Sequence, residues 1–72
     1  MTHYMLLDRH GDAVAEITDK SILDKVDEIS GFIYNGKNYL YAFWMQLDGY
    51  FFYQEAHQVG VELDSSAVRV IS

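Results

Sequence analysis

The sequence contains no cysteine and no proline among its 72 residues. Without cysteine, the chain can form neither disulfides nor thiolate metal sites. Its stability must therefore come from its own core, although a domain of this size buries only about 60% of the surface that its unfolded chain exposes. The absence of proline excludes a rigid spacer between domains. We therefore predict a single folding unit over residues 1–72.

Basic residues are scarce as well. Five lysines and arginines stand against 11 acidic residues, which gives a formal net charge of −6. Direct binding to nucleic acid is not expected, because phosphate contacts need a basic patch. Long hydrophobic runs are also missing, since the longest near-apolar run covers only residues 39–45. A membrane-spanning helix needs about 20 apolar residues, so no contact with a membrane is expected. The start of the chain lacks the pattern of a signal peptide, which favours the cytoplasm, or the host cytoplasm if the chain is phage-encoded.

The composition is otherwise that of a globular domain, because half of the residues are hydrophobic and 15% are aromatic. Turn signals separate short apolar stretches at residues 10–11, at residues 35–36 and at residues 48–49. The last two read Asn-Gly and Asp-Gly, which favour two-residue type I′ turns because both central residues need a positive φ. This pattern predicts hairpins and an antiparallel sheet.

Residues 19–30 interrupt the strand pattern. Ile22, Leu23, Val26 and Ile29 have the spacing of one apolar stripe on a helix. Gly31 follows directly and is suited to the left-handed position after a helix. We therefore predict one α+β domain over residues 1–72, with an antiparallel sheet of about five or six strands built from hairpins. Its expected order is ββαββββ with one amphipathic helix, and the sheet could curl toward a small barrel.

A two-residue turn at residues 48–49 would also fix which side chains share a face. Leu47 would then face Tyr50, and Met45 would face Phe52. This face also holds Phe43 and is the more continuously apolar one, so we predict it to be the core beneath the helix.

The opposite face of the predicted hairpin would carry the aromatic residues Trp44, Phe51 and Tyr53. A single helix cannot cover both faces of a sheet. Three arrangements are open: the sheet curls and buries the cluster, a second copy covers it, or another partner binds it. An exposed apolar patch of some size usually marks an interaction surface, and Trp and Tyr are frequent hot-spot residues.

Residues arranged for catalysis or for cofactor binding are hard to find. No serine lies in a nucleophile elbow, and no glycine pattern forms a phosphate-binding loop. His3, His10 and His57 are the candidates for acid–base or metal chemistry, and their spacing matches no known ligand pattern. We therefore predict no catalytic, metal or cofactor-binding residues. A small enzyme or metal protein built on these histidines is the weakest of three hypotheses.

Acidic residues are concentrated between residues 12 and 28, where six of the eleven occur. Asp24, Asp27 and Glu28 would lie on the outer side of the predicted helix as like-charge neighbours. Such a stripe is most often only a solvated surface. It can also steer association with a cationic partner in a salt-sensitive way.

The leading hypothesis is a small acidic, non-enzymatic protein that binds a basic surface of another protein. Its concrete form is an inhibitor of a nucleic-acid-processing protein, either a phage anti-defence protein of the anti-CRISPR or anti-restriction type or an immunity protein for a nuclease. The alternative is a structural or adaptor module that self-associates, as a homodimer, through an aromatic sheet face. The residues predicted to bind the partner are Asp19, Asp24, Asp27, Glu28, Trp44, Phe51, Tyr53 and Glu55.

Overall fold

The computed structural model describes residues 2–25, 31–57 and 60–71 and shows one curved, mixed sheet, a half-barrel. Within those ranges the strands are β1 (His3–Leu7), β2 (Ala13–Ile17), β3 (Gly31–Tyr34), β4 (Lys37–Tyr41), β5 (Tyr50–Ala56), β6 (Gly60–Glu62) and β7 (Val68–Val70). Their order across the sheet is β6-β3-β4-β5-β1-β2-β7. Two short 3₁₀ helices, Lys20–Lys25 and Ser65–Ala67, lie between strands.

Parallel pairs distinguish this sheet from the predicted antiparallel one. β1 pairs with β5 in parallel, from His3 opposite Tyr50 to Leu7 opposite Gln54. β3 pairs with β6 in parallel as well. The remaining neighbours are antiparallel. Hairpins therefore supply only part of the pairing, and the two parallel ladders join strands that are far apart in sequence.

The predicted α+β class is wrong, because the structure is nearly all sheet and no described helix reaches seven residues. Within the described part of the predicted helical segment, Lys20–Lys25 forms a 3₁₀ helix. Ile22 and Leu23 still pack against the core from this segment, whereas residues 26–30 lie outside the described residues. A short helix is marginal on its own and depends on packing its apolar face against the rest of the fold. In this fold Leu63 and Ala67, which come from a different segment, are also buried at the core.

The core occupies the concave side of the half-barrel. Its buried members are Leu6, Ala15, Ile17, Phe32, Tyr39 and Leu63. Alternation along the strands places these side chains inward, since successive residues of a strand point to opposite faces. Phe32 is fully buried and meets the ring of Tyr53 edge-on, with centroids 5.0 Å apart. Burying a side chain of this size contributes about 1.5–3 kcal/mol.

The register between β4 and β5 overturns the predicted assignment of faces. Leu47 does bridge Tyr50 as predicted, but that bridge is isolated. A regular hairpin would continue to pair Tyr41 with Ala56, whereas Tyr41 lies opposite Tyr53, three residues nearer. An odd shift exchanges the two faces of a strand. Phe43, predicted to lie in the core, lies beyond the end of β4 in a turn and is 72% exposed.

The two predicted type I′ turns have different outcomes. Asn35 and Gly36 both have positive φ, at 52° and 75°, which confirms a type I′ turn between β3 and β4. At the second turn only Gly49 has a positive φ, 82°, so this turn is not type I′. It is nevertheless closed by a hydrogen bond from the Tyr50 N–H to the Leu47 carbonyl oxygen, at 2.9 Å.

Helices in the described residues are all too short and too polar to cross a membrane.

Candidate functional site

Large apolar side chains remain exposed along one segment of the chain, from residue 43 to residue 51. They are Phe43, Trp44, Leu47, Tyr50 and Phe51, which we call the β4–β5 patch. Trp44 is 58% exposed and Leu47 is 57% exposed. In the described ranges, Val70 on β7 is the other large hydrophobic residue exposed to this degree. The exposed apolar surface is thus concentrated at one end of the sheet.

Hydrogen bonds hold the loop of this patch in place. Ala42 is fully buried and donates its N–H to the Phe52 carbonyl oxygen at 2.8 Å. The Met45 N–H closes a turn on the Ala42 carbonyl oxygen at 3.1 Å, and Phe43 and Trp44 lie at its tip. Their rings meet edge-on with centroids 5.2 Å apart. The aromatic side chains are therefore presented on an ordered turn, which lowers the entropy cost of binding.

A shallow groove of about 490 Å³ runs beside the patch. Its lining consists of Tyr41, Met45, Gln46, Leu47, Asp48, Gly49, Tyr50 and Phe51. Asp48 is the charged residue of this lining, and no lysine or arginine contributes to it. The groove therefore combines aromatic, aliphatic and polar groups with one negative charge.

Aromatic rings continue from the groove along the concave face, where they form what we call the aromatic row: Tyr4, Phe51, Tyr41, Tyr53 and Phe32. Tyr4 stacks on Phe51 with centroids 5.3 Å apart and an interplanar angle of 13°. The ring centroid of Tyr41 lies 6.4 Å from that of Phe51 and 5.6 Å from that of Tyr53. At its outer end, the Lys20 Nζ lies 5.8 Å from the centre of the Tyr4 ring.

Tyr53, predicted to bind the partner, packs against the core. Its ring is half-buried and packs against the core cluster. Burial, together with the smaller effects of nearby Tyr4 and Tyr41, raises the pKa of its phenol to about 12. The chain therefore uses Tyr53 as a packing residue, and its neighbour Phe51 is the one that reaches the surface.

Glu55, also predicted to bind the partner, is engaged within the chain. Its side chain is only 12% exposed and forms ion pairs with Arg9 Nε at 2.5 Å and with Lys37 Nζ at 3.7 Å. Arg9 in turn contacts His57 Nε2 through Nη2, at 3.2 Å. Glu55 thus connects the β1–β2 turn to the start of β4.

A second group of charged residues, centred on Glu16, lies on the convex side of the sheet. Glu16 accepts from Nδ1 of His3 at 2.8 Å and from Nη2 of Arg69 at 2.5 Å. These hydrogen bonds, the one from His3 foremost, hold the pKa of the Glu16 carboxyl below its usual value. His3 also stacks on Tyr50 at 4.8 Å, which connects this ion pair to the β4–β5 patch.

The acidic residues predicted from the helix pattern are described only in part. Asp19 is exposed, and its Oδ1 accepts from the Ser21 N–H at 3.1 Å and from the Ser21 hydroxyl at 2.6 Å. The side chain of Asp24, together with Asp27 and Glu28, lies outside the described residues.

The three histidines occupy separate places. β1 lies beside β5, and the parallel register puts His3 opposite Tyr50 and leaves His57 beyond the far end of the pair. His10 lies in the β1–β2 turn, where its N–H donates to Asp8 Oδ1 at 2.9 Å. Across the described residues, no group of three or more His, Asp or Glu side chains could hold a metal ion.

Of the predicted partner-binding residues, the structure brings Trp44 and Phe51 to the same exposed segment. Sequence reasoning missed Phe43, Leu47 and Tyr50, which it assigned to the core. A signal for the loop was present, because residues 43–45 are consecutive large apolar residues without the alternation of a strand. No protein-family model, curated protein or solved structure shows a significant match to this chain.

Proposed function

We propose that this protein is a non-enzymatic binding protein that docks its β4–β5 patch on a second protein with a basic surface. The observation that carries the proposal is the exposure of five large apolar side chains on one ordered segment. Large exposed apolar side chains grouped on one segment mark a candidate interaction surface. Aromatic residues, Trp and Tyr above all, supply much of the binding energy at protein interfaces.

The charge distribution supports a basic partner. Arg9 and Lys37 are paired with Glu55, and Arg69 is paired with Glu16. Lys20 lies over the ring of Tyr4. Two glutamates therefore engage three of the five cations, while the chain keeps a net charge of −6. A negative surface speeds encounter with a basic one and makes the association sensitive to salt.

In its concrete form, the proposal is an inhibitor that occupies the basic surface of a nucleic-acid-processing protein in the cytoplasm. An anti-CRISPR or anti-restriction protein and a nuclease immunity protein are the versions that fit a small acidic chain. What supports this form is the net charge together with the patch.

Self-association through the same patch is the second candidate. A core of this size gains stability from oligomerisation, and an apolar aromatic surface can cover itself in a symmetric dimer. This candidate needs no basic partner. Concentration therefore separates the two, because the melting temperature of a dimer rises with protein concentration.

The experiment uses three tagged proteins: the wild type, the double variant Phe43→Ser/Trp44→Ser, and Val70→Ser. Val70 is 63% exposed and lies on β7, three strands from β5, so its substitution is a matched control for the loss of exposed apolar surface. Each protein is used for capture at low salt from a lysate, followed by a salt gradient.

We expect the wild type and Val70→Ser to retain a stoichiometric partner with a basic surface, released by salt, and the double variant to lose it. Equal capture by all three proteins would contradict a role for the patch. Recovery of the bait alone, as a dimer by light scattering, would favour self-association instead.

A further inference from the structure

We infer that the groove between Tyr41, Phe51 and Asp48 binds the cationic side chain of an arginine or lysine in the partner's basic segment. This inference rests on the proposed function and specifies what the β4–β5 patch recognises. The lining of the groove combines three aromatic residues, Tyr41 and Phe51 among them, with one carboxylate residue and has no cation of its own. Such a combination attracts a positive charge that carries an apolar stem.

The chain itself already contains one such contact. Lys20 Nζ lies 5.8 Å from the centre of the Tyr4 ring, within the range of a cation–π interaction. Tyr4 stacks on Phe51, which lies between Tyr4 and Tyr41 in the aromatic row. The row thus has a cation at its Tyr4 end, while its members Phe51 and Tyr41 line the open groove.

The geometry of the open end suits a second cation. The centroids of Tyr41 and Phe51 are 6.4 Å apart and their planes are inclined by 38°, so the two rings form an angled wall. Phe51 is 41% exposed, which leaves a substantial part of its ring accessible. A guanidinium or ammonium group within about 6 Å of a ring centroid is attracted by the ring quadrupole.

Asp48 adds a charge to this wall. It lies in the exposed turn before β5 and lines the same groove as Tyr41 and Phe51. A purely apolar ligand would gain nothing from this carboxylate, whereas an arginine could donate to it while its plane stacks on a ring. The groove therefore selects a cationic side chain over an uncharged one of the same shape.

The test is an NMR titration of the wild-type protein with N-acetyl-arginine amide, compared with N-acetyl-citrulline amide. Citrulline has nearly the shape of arginine but lacks the charge, so it separates cation recognition from apolar contact. We expect arginine to shift the Gly49 amide and the Tyr41 and Phe51 ring signals. We expect citrulline, which loses both the cation–π contact and the attraction to Asp48, to bind at least fivefold more weakly.

Two substitutions locate the site. Phe51→Leu keeps an apolar side chain but removes the ring, and Asp48→Asn removes the charge with little change in shape. Each is expected to weaken arginine binding about fivefold and to leave citrulline binding nearly unchanged. Val70→Ser is the control and should bind both probes as the wild type does. If circular dichroism shows that Phe51→Leu is unfolded, Tyr41→Leu replaces it.

Equal binding of arginine and citrulline, or no shift at the groove up to the solubility limit of the arginine probe, would overturn the inference. Failure of the inference is distinguishable from failure of the proposed function. If the Phe43→Ser/Trp44→Ser protein fails to capture the partner but arginine and citrulline bind equally, the β4–β5 patch is the docking site and the groove does not recognise a cation. If the double variant still captures the partner, the proposed docking through the β4–β5 patch is contradicted, even if arginine binds the groove.

Discussion

Gly60 lies opposite Gly31 in the parallel pair of β3 and β6, so close that a Cβ on Gly60 would collide with the Gly31 carbonyl group. The carbonyl carbon and oxygen of Gly31 are backbone atoms, so no side-chain movement can relieve the contact. We expect Gly60→Ala to lower the free energy of unfolding by about 1–3 kcal/mol, the range for overpacked sites. Urea denaturation followed by circular dichroism measures this loss.

Gly11→Ala is the control for this substitution. A Cβ at Gly11 meets no atom within 4 Å, and its only penalty is the positive φ of 86°. That penalty is about 1 kcal/mol. A Gly60→Ala protein as stable as Gly11→Ala would contradict the close approach of β3 and β6.

Asn38 on β4 has a buried side-chain amide without hydrogen bonds to the described part of the chain. Its Oδ1 and Nδ2 are buried and have no hydrogen-bond partner within the described residues. An unpaired buried amide costs about 1–3 kcal/mol. We therefore expect Asn38→Leu, which has similar volume, to raise the free energy of unfolding by about 1 kcal/mol in urea denaturation.

Gln54 provides the comparison for Asn38. It lies on the neighbouring strand β5, and its Nε2 donates to the Asp8 carbonyl oxygen at 3.3 Å. Gln54→Met removes a hydrogen bond that is made, so it should destabilise the protein. If Asn38→Leu and Gln54→Met both destabilise, then the Asn38 amide has a partner after all.

Glu16 should make stability depend on pH on the acid side. The hydrogen bond from His3, followed by that from Arg69, lowers the pKa of this carboxyl in the folded state below its ordinary value of 4.5. The unfolded chain then binds the proton first as pH falls, so the stabilisation present above pH 4.5 is lost as pH drops through the folded pKa. Urea denaturation across this pH range should show a smaller loss in Glu16→Gln than in the wild type.

The control for Glu16 is Glu62→Gln, which removes an exposed carboxylate on β6. At neutral pH, Glu16→Gln should cost about 1 kcal/mol or less, because Arg69 is largely solvated. An identical pH dependence in the wild type and Glu16→Gln would show that His3 and Arg69 do not stabilise the carboxylate.

Tyr53 should make stability depend on pH on the alkaline side. Burial raises the pKa of its phenol from 10.0 to about 12, so the unfolded chain loses this proton first as pH rises. Stability should therefore fall above pH 10, and Tyr53→Phe should keep more of it. Alkaline denaturation followed by circular dichroism tests this, and equal midpoints for Tyr53→Phe and wild type would contradict the burial of the hydroxyl.

Local turn chemistry was predictable from the sequence where a single residue pair decides the backbone. Asn35 and Gly36 adopt the positive φ values that a type I′ turn requires. At Asp48 and Gly49 the same reasoning found the turn but not its type. The error matters because the residues before this turn leave the ladder, and a three-residue shift moves Tyr41 to the face of Tyr53.

Long-range pairing was not predictable in the same way. The parallel pairing of β1 with β5, which sets Tyr4 on Phe51, joins residues far apart in sequence and has no local signal. The apolar stripe of Ile22 and Leu23 correctly indicated a segment that packs on the core. It could not show that a 3₁₀ helix would present these two side chains, since consecutive apolar residues reach a core from either kind of helix.

Substitutions at Trp44 and at Phe32 should differ in their effect on the free energy of unfolding, because one residue is exposed and the other belongs to the core. Trp44 is 58% exposed and touches Phe43, whereas Phe32 is fully buried in the core cluster. Exposed substitutions usually change stability by about 0.5 kcal/mol or less, so Trp44→Ser should unfold at nearly the wild-type urea concentration. Phe32→Ala should cost about 3–5 kcal/mol, which is enough to unfold a domain of this size. A large loss of stability in Trp44→Ser would mean that Trp44 serves the fold, and an exposed tryptophan would then no longer argue for a partner.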